Sequence, residues 1–474
     1  MPDRGWLTSM SDFEIGPIQL RPQRRLLETA AHSVTVEPLV MLVLVTLSRQ
    51  AGVVVTRRDI FQTCWGTAPV GDDSLNRIIA VLRKLLRQIA GDAVQIETVP
   101  GTGYLLRLCA PGLDSLASSD GSAARRAIEA ARSSWRWGLP EADHLRIEQL
   151  RHATRSEPAN ANAWGMLAFL CRYAAEYAGP ELSADYVAEC ELAAERALAI
   201  DASQAEALVA LATVAPLFGR WLPARTRLEA IVGERNHCAP AVHELAIVEM
   251  ATGRVGQAKR LMDTLIAADP LAACYNYKSI WQHWSVGDLA GMDHVADRAI
   301  QLWPLHPAVW TARFWTLVHT DRPRASMMML EDSAARPIIP PPMLQFLLMV
   351  AHAAASGDVA EVERSICASR AAAEKGPAQA VASLLTLGLF GATDEAFDVA
   401  QSYYMRAGNA PVPVRHTKGE QSINDQHRRV TQPLFTPATA CMRSDPRFAG
   451  LCERIGLAAY WDESGLSPDF LQVT

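Results

Sequence analysis

The sequence lacks the motifs that mark the commonest enzymes and metalloproteins. Its 474 residues contain no G-x-x-x-x-G-K, G-x-S-x-G or H-E-x-x-H pattern, which excludes the usual phosphate loop, nucleophile elbow and zinc-protease helix. His237 and His243 lie near Cys238 without the spacing of metal ligands, so both histidines are predicted to be surface residues. The sequence therefore predicts no enzyme activity, no cofactor and no metal site.

Long apolar runs and paired cysteines are also missing. No run approaches the roughly 18 apolar residues of a membrane span, and no apolar segment of a signal peptide follows Met1–Arg4. The nine cysteines include no C-x-x-C pair, which is typical of free thiols in a reducing compartment. With 20% charged residues and a formal net charge of −6, the chain has the composition of a globular protein of two or three domains. These features predict a cytoplasmic protein without a membrane partner.

A basic amphipathic helix is the most informative feature that the sequence does contain. Its apolar positions recur with helical period, at Leu75, Ile78, Ile79, Leu82, Leu85, Leu86 and Ile89. Its opposite face carries Asn76, Arg77, Ala80, Val81, Arg83, Lys84, Arg87 and Gln88. Four cations without an intervening acid suit a phosphate-lined groove. For the helix considered alone, an ordinary solvated face is the alternative.

The segments around this helix place it in a small mixed domain. Thr56–Asp59 has capping-box spacing and predicts a helix that ends near Trp65, whereas Pro38–Gln50 predicts a buried earlier helix. Ile96–Tyr104 predicts a strand pair closed by the turn Gly101–Gly103. Four short strands are predicted upstream, at Phe13–Gly16, Ile18–Leu20, Arg25–Leu27 and Val34–Val36.

This order of elements resembles the winged helix-turn-helix of OmpR/PhoB-type regulators, including CadC-like and HilA-like one-component regulators, over residues 12–108. The resemblance implies that the helix Ser74–Arg87 enters the major groove of DNA, and that the Gly101–Gly103 turn reaches the minor groove or adjacent phosphates. The DNA-binding residues that it implies are Arg57, Arg58, Asn76, Arg77, Ala80, Val81, Arg83, Lys84, Arg87 and Thr102.

The sequence departs from this pattern at several base-reading positions. Val81 replaces an arginine that is frequent in the family, and Ala80 replaces a serine or arginine. Pro100 and Leu105 also stand where arginines are frequent in the wing. Because arginine–guanine pairing is the commonest specific base contact, the domain reads a different sequence, uses apolar contacts to thymine methyl groups, or binds DNA weakly.

A repeat of about 34 residues follows a Pro/Gly/Ser-containing linker predicted at residues 109–122. Inner-turn dipeptides recur at intervals of 34, 34, 34, 36 and 34 residues, beginning at Gly219, Gly253, Gly287, Asp321, Gly357 and Gly391. This period resembles tetratricopeptide repeats and predicts six to eight stacked helix pairs over residues 123–408. The predicted fold is therefore mainly α, an α+β winged helix-turn-helix followed by an α-solenoid.

The last segments carry two further expectations. Residues 409–435 are polar and predict a long loop. The ending Asp445–Phe448 to Tyr460-Trp461, within residues 436–474, resembles the C-terminal cap of regulators with such repeats, and it is expected to seal the apolar face of the last repeat.

Aromatic residues concentrate in one repeat, where Tyr275, Tyr277, Trp281 and Trp284 precede Trp303, Trp310 and Trp315. Core filling is the favoured interpretation, and a pocket for a ligand or peptide is the alternative.

The sequence as a whole predicts a bacterial one-component transcriptional regulator that binds promoter DNA. Its repeats are expected to sense a ligand or protein partner, or to mediate self-association. One alternative is a scaffold or anti-regulator with a weakened DNA-binding head, which acts through its repeats. A catalytic regulator, such as a cyclase-linked protein, is disfavoured by the missing motifs.

Overall fold

The computed structural model describes residues 13–15, 17–29, 32–49, 54–57, 60–61, 64, 72–91, 93–99, 103–108, 121–138, 143–215, 217–234, 238–405, 407 and 429–471. The chain divides into two compact units, Met1–Ser119 and Asp120–Thr474. Most of the predicted linker 109–122 lies outside the described residues. Its last two residues, Gly121 and Ser122, already belong to the first helix of the second unit.

The N-terminal unit contains two antiparallel sheets. The first has the order β1-β2-β3-β4, with strands Phe13–Ile15, Ile18–Arg21, Leu26–Glu28 and Ser33–Thr35. The second has the order β5-β7-β6, with strands Val54–Thr56, Val94–Val99 and Gly103–Leu108 as β5, β6 and β7. The four early strands and the closing hairpin agree with the sequence prediction. Strand β5 was missed, because its last residue, Thr56, also reads as a helix cap.

Among the described residues, the helices α1 (Pro38–Arg49) and α2 (Asp72–Ala90) pack into the core of this unit, together with the helical residues Ile60 and Cys64. The predicted helix after Thr56 is described only at residues 57, 60, 61 and 64, all of which are helical. Helix α1 is buried around Met41 and Leu44, as predicted, because apolar side chains occupy nearly every position. Six of the seven predicted apolar residues of α2 are buried, and only Leu85 is half-buried.

The second unit is helical, and the described residues within 121–405 form eight consecutive helix pairs. The helices α3 to α18 are Gly121–Trp137, His144–Ser156, Ala161–Tyr177, Pro180–Ile200, Ala205–Thr213, Trp221–Glu234, Ala239–Ala251, Val255–Ala268, Ala273–Ser285, Leu289–Leu302, Pro307–His319, Pro323–Glu331, Pro341–Ser356, Val359–Ala373, Pro377–Leu389 and Thr393–Met405. The mainly α fold and its tetratricopeptide-like solenoid are confirmed. No described helix is both long and apolar enough to cross a membrane.

The inner turn of each later pair contains one residue in the left-handed region of backbone space. These residues are the six predicted from the 34-residue period, Gly219, Gly253, Gly287, Asp321, Gly357 and Gly391, with φ values from 55° to 85°. Glycine adopts this conformation without the clash that a Cβ atom introduces. The sequence period therefore reports a backbone requirement of the turn.

The C-terminal segment differs from the prediction of a cap on the last repeat alone. The 3-10 helices Gln432–Phe435 and Pro437–Thr439 precede α19 (Ala440–Arg443), α20 (Arg447–Ile455), α21 (Leu457–Ser464) and the 3-10 turn Asp469–Leu471. Arg447 pairs with Asp394 of α18 at 2.8 Å, but Trp461 Nε1 donates to Thr252 O at 2.9 Å. The segment therefore joins the last helix pair to the turn between α9 and α10.

The predicted loop 409–435 also ends differently. Its residues 409–428 lie outside the described part of the chain, but Leu434 and Phe435 are buried in the solenoid core. The hydroxyl of Thr431 donates to Ala251 O. The end of the predicted loop, residues 431–435, is therefore packed against the repeats, which the polar residues before it gave no reason to expect.

Candidate nucleic-acid interface

Helix α2 presents a basic outer face opposite its buried apolar face. Asn76, Arg77, Ala80, Lys84 and Arg87 are all exposed, and Val81 is 39% exposed on the same side. Within the described residues, no ion pair joins Arg77, Lys84 or Arg87 to an acid. Three cations on one helical face are therefore available to a polyanion.

Arg83 differs from its predicted place on this outer face. Its side chain is half-buried, because its Nε donates to Ile96 O at 2.7 Å and its Nη2 donates to Thr98 Oγ1 at 2.8 Å. Both acceptors belong to β6, the first strand of the wing. Arg83 therefore braces the wing against α2, and we correct its predicted role as an outward-facing cation.

Three polar side chains form a triangle at the start of α2. Arg57 Nη2 donates to Tyr104 Oη at 2.9 Å and to Asn76 Oδ1 at 3.2 Å. The Tyr104 hydroxyl in turn donates to Asn76 Oδ1 at 2.8 Å, and the guanidinium of Arg57 lies 5.1 Å from the tyrosine ring centroid. Two predicted DNA-binding residues, Arg57 and Asn76, are thus held together by a tyrosine of the wing that the site prediction omitted.

The wing strand β7 approaches β5 closely at Gly103. This residue pairs with Val99 on one side and with Thr56 on the other, and an added Cβ atom would lie 2.0 Å from Val55 O. A glycine is required here by backbone proximity. The other predicted wing residue, Thr102, and the predicted phosphate contact Arg58 lie outside the described residues.

The second unit contains a buried polar cluster that the sequence analysis did not anticipate. Arg172 Nη2 lies 3.4 Å from Glu244 Oε2, Tyr173 donates to the same carboxylate, and His243 Nδ1 is 3.0 Å from Glu244 Oε1. The prediction of a surface histidine is wrong for His243, which is 2% exposed. His237 lies outside the described residues.

Electrostatics within this cluster favour one charged pair and a neutral imidazole. Burial lowers the pKa of His243 to about 4, and Lys278 and Arg172 act in the same direction. Burial alone would raise the pKa of Glu244, but Arg172 and the hydrogen bonds from His243 and Tyr173 hold it well below its usual value. Among the described residues, no group of three His, Cys, Asp or Glu side chains is arranged to hold a metal ion.

The sheet order and the helices α1 and α2 define the N-terminal unit as a winged helix-turn-helix, and the family match over this unit indicates a DNA-binding transcriptional regulator. Residues 31–106 match the family described as "Transcriptional regulatory protein, C terminal". This match confirms the OmpR/PhoB-type recognition for that part of the chain.

Two solved structures are similar to separate parts of the chain. The DNA-binding domain of E. coli CadC is 27% identical, with a TM-score of 0.19, and the match covers 21% of this chain and 91% of that one. A tetratricopeptide repeat protein from Parabacteroides merdae is 14% identical, with a TM-score of 0.32, and covers 53% of this chain and 92% of that one. No curated protein matches the sequence.

Proposed function

We propose that this protein is a cytoplasmic one-component transcriptional regulator that binds double-stranded promoter DNA through α2 and the wing. The single observation that supports this most directly is the exposed face of Arg77, Lys84 and Arg87 on α2. Lysine and arginine at such a surface neutralise phosphates and release counterions, which makes affinity depend on salt. The proposed function involves no catalysis.

In this proposal the wing is held in a fixed position relative to α2. Arg83 fixes β6 to α2, and the Arg57–Asn76–Tyr104 triangle fixes β7 to the start of α2. A preorganised pair of helix and wing loses less conformational freedom on binding. We further propose that the helical repeats sense a ligand or protein partner, or mediate self-association, and so regulate the DNA-binding unit.

The test is the salt dependence of binding to a random 30-base-pair duplex, measured by fluorescence anisotropy. The Arg77→Ala, Lys84→Ala double variant should bind more weakly, and the slope of log K against log salt should become shallower by about 1 to 2, because each lost phosphate contact removes about 0.9. Arg24→Ala is the matched control, since Arg24 is an exposed cation in the 3-10 turn Pro22–Arg24 between β2 and β3, and it should bind like the wild type. An unchanged slope in the double variant would contradict the assignment.

The same titration tests the alternative of a scaffold with a weakened DNA-binding head. Arg83 is committed to the wing and Val81 offers no hydrogen-bond donor, which leaves three outward cations on α2. If wild-type protein does not bind the duplex even at low salt concentration, the scaffold interpretation replaces the proposed function.

A further inference from the structure

A large apolar cavity lies inside the helical unit, and the buried polar cluster lines a smaller one beside it. The larger cavity has a volume of about 630 Å³ and lies among α9, α11, α13, α15 and α17. The smaller one has a volume of about 210 Å³. Tyr277 and Lys278 of α11 line both, so the two cavities meet at this point.

The larger cavity has the size and lining of a small-molecule site. Pockets for organic ligands occupy roughly 300–1,000 Å³ and combine apolar walls with few polar groups. Its apolar walls include Trp281, Trp310, Trp315, Ile339, Met343 and Leu347. The indole rings provide flat surfaces that favour stacking with another aromatic ring. Ile338 at the cavity is 89% exposed, which places this wall at the solvent boundary.

One positively charged side chain, that of Lys278, lines the larger cavity, whose walls are mostly apolar. Lys278 is the only charged residue among the described residues that line the larger cavity. Its Nζ donates to Tyr277 Oη at 2.8 Å, and within the described part of the chain no carboxylate lies at ion-pair distance from it. The Lys278 side chain is half-buried, and Glu244 acts on its charge without lying at ion-pair distance. An anionic ligand in the cavity would give this ammonium group a direct, charge-assisted partner.

A second polar group points to the same ligand. Gln282 is 3% exposed, lines the larger cavity, and its Oε1 has no hydrogen-bond partner among the described residues. It stands four residues after Lys278 on α11, so both side chains share one helical face about one turn apart. An acceptor that is buried without a partner costs free energy that a ligand donor would recover.

We propose that this cavity binds an aromatic carboxylate. The carboxylate pairs with Lys278 Nζ, the ring system stacks between the tryptophans, and a ring N–H or hydroxyl donates to Gln282 Oε1. The ligand is bound without covalent change. The proposal names the signal of the repeat unit and rests on the proposed function only for its effect on DNA; binding itself is independent of the DNA-binding unit.

Isothermal titration calorimetry on the full chain tests the anionic requirement, with naphthalene-1-acetate and the neutral naphthalene-1-acetamide as probes. Wild-type protein should bind one molecule of naphthalene-1-acetate per chain. Its affinity for this anion should be at least about tenfold higher than for naphthalene-1-acetamide, because only the carboxylate forms a charge-assisted hydrogen bond. Lys278→Met should reduce the acetate affinity to that of the amide and leave the amide unchanged. Lys259→Met is the control, since Lys259 pairs with Asp263, and it should leave both affinities unchanged.

Two further variants locate the site and test the second contact. Ala382→Trp fills the larger cavity and should abolish binding of both probes, with the helical circular dichroism retained. Indole-3-acetate should bind more tightly than naphthalene-1-acetate to wild-type protein, and Gln282→Leu should remove this preference. The proposal is overturned if wild-type protein binds neither acid, if Lys278→Met keeps the preference for the anion, or if Ala382→Trp still binds.

The Arg77→Ala, Lys84→Ala variant separates this proposal from the proposed function. It should bind naphthalene-1-acetate as the wild type does, even though its DNA affinity falls. Loss of acid binding in that variant would contradict an independent site, whereas wild-type acid binding without any DNA binding would contradict the proposed function alone.

Discussion

The guanidinium of Arg57 donates to the hydroxyl of Tyr104 at 2.9 Å, and so joins the residue after β5 to the wing strand β7. Tyr104→Phe removes this acceptor, together with the bond to Asn76. We expect the free energy of unfolding of the N-terminal unit to fall by about 1 kcal/mol, and DNA affinity to fall because Asn76 and Arg57 each lose one of the hydrogen bonds that position them. Anisotropy titrations and urea unfolding check both. Tyr275→Phe, in the other unit, should leave DNA affinity unchanged.

Val81 tests the orientation of α2. Because the side chain is 39% exposed, Val81→Arg should change the free energy of unfolding by no more than about 0.5 kcal/mol. It should strengthen binding to random DNA by adding a cation near the phosphates, and weaken discrimination for the native operator. Thermal unfolding and competition titrations measure these effects. Unfolding or aggregation of the variant would instead place Val81 in the core.

Gly103 tests the close approach of β7 to β5. Gly103→Ala places a Cβ atom against the backbone of Val55, and we expect the free energy of unfolding to fall by about 1–3 kcal/mol through overpacking. Gly450 lies in helix α20 with open space around its Cα. Gly450→Ala should stabilise the protein by up to about 1 kcal/mol, because alanine favours a helix. Denaturant unfolding followed separately for each unit measures both changes, and equal effects would contradict the steric argument.

Asp321 is the one non-glycine residue at the six inner turns with positive φ. Its φ of 55° carries the Cβ clash that glycine avoids, so Asp321→Gly should raise the free energy of unfolding by about 0.5–1 kcal/mol. Gly287 has a φ of 80° and open space around it, and Gly287→Ala should lower that free energy by about 1 kcal/mol through backbone strain alone. If urea unfolding shows that the two variants change the free energy of unfolding in the same direction, the positive φ of the turn is not the reason for the sequence period.

His319 predicts a pH dependence of stability. Burial lowers its pKa to about 4, against an opposing backbone hydrogen bond with Leu385, whereas the unfolded imidazole titrates near its ordinary value of about 6.5. The unfolded state therefore binds more protons between these two values, and stability falls as the pH drops from about 6.5 to 4, by roughly 3 kcal/mol for this group. His319→Phe should remove that part of the loss in urea unfolding at pH 7 and pH 4.5. An unchanged pH slope would contradict the assignment.

The elements with a strong local pattern were predictable from sequence. The apolar period of α2 identified its buried face, and the 34-residue spacing identified the six turn residues. Strand β5 was missed because three residues give no clear alternation and Thr56 also fits a helix cap. Its pairing with β7 depends on Gly103, which is distant in sequence.

The sequence was sufficient to predict which face of α2 is exposed and basic, but it was less informative about the role of each side chain. Helical geometry places Arg83 near the edge of the outer face, but its bonds to Ile96 and Thr98 depend on where the wing folds back. His243 was assigned to the surface because its neighbours in sequence reveal nothing of Arg172, which lies two helix pairs earlier. The aromatic residues of α11 fit both interpretations of the sequence, core filling and a ligand pocket. Tyr275 and Trp284 fill the core, whereas Trp281 lines the cavity.

The bonds between the C-terminal segment and the middle of the solenoid affect how the protein is made. Trp461 bonds to Thr252, a residue 209 positions earlier, and the N–H of Asp469 bonds to Gly253 O at 2.9 Å. A ribosome that adds 5–20 residues per second needs on the order of 10 to 40 seconds to cover that distance. During that time the turn between α9 and α10 and the apolar surface beside Phe435 are uncovered on the nascent chain. The contacts of the C-terminal segment with this turn therefore form late in translation, after all the helix pairs between them have been made.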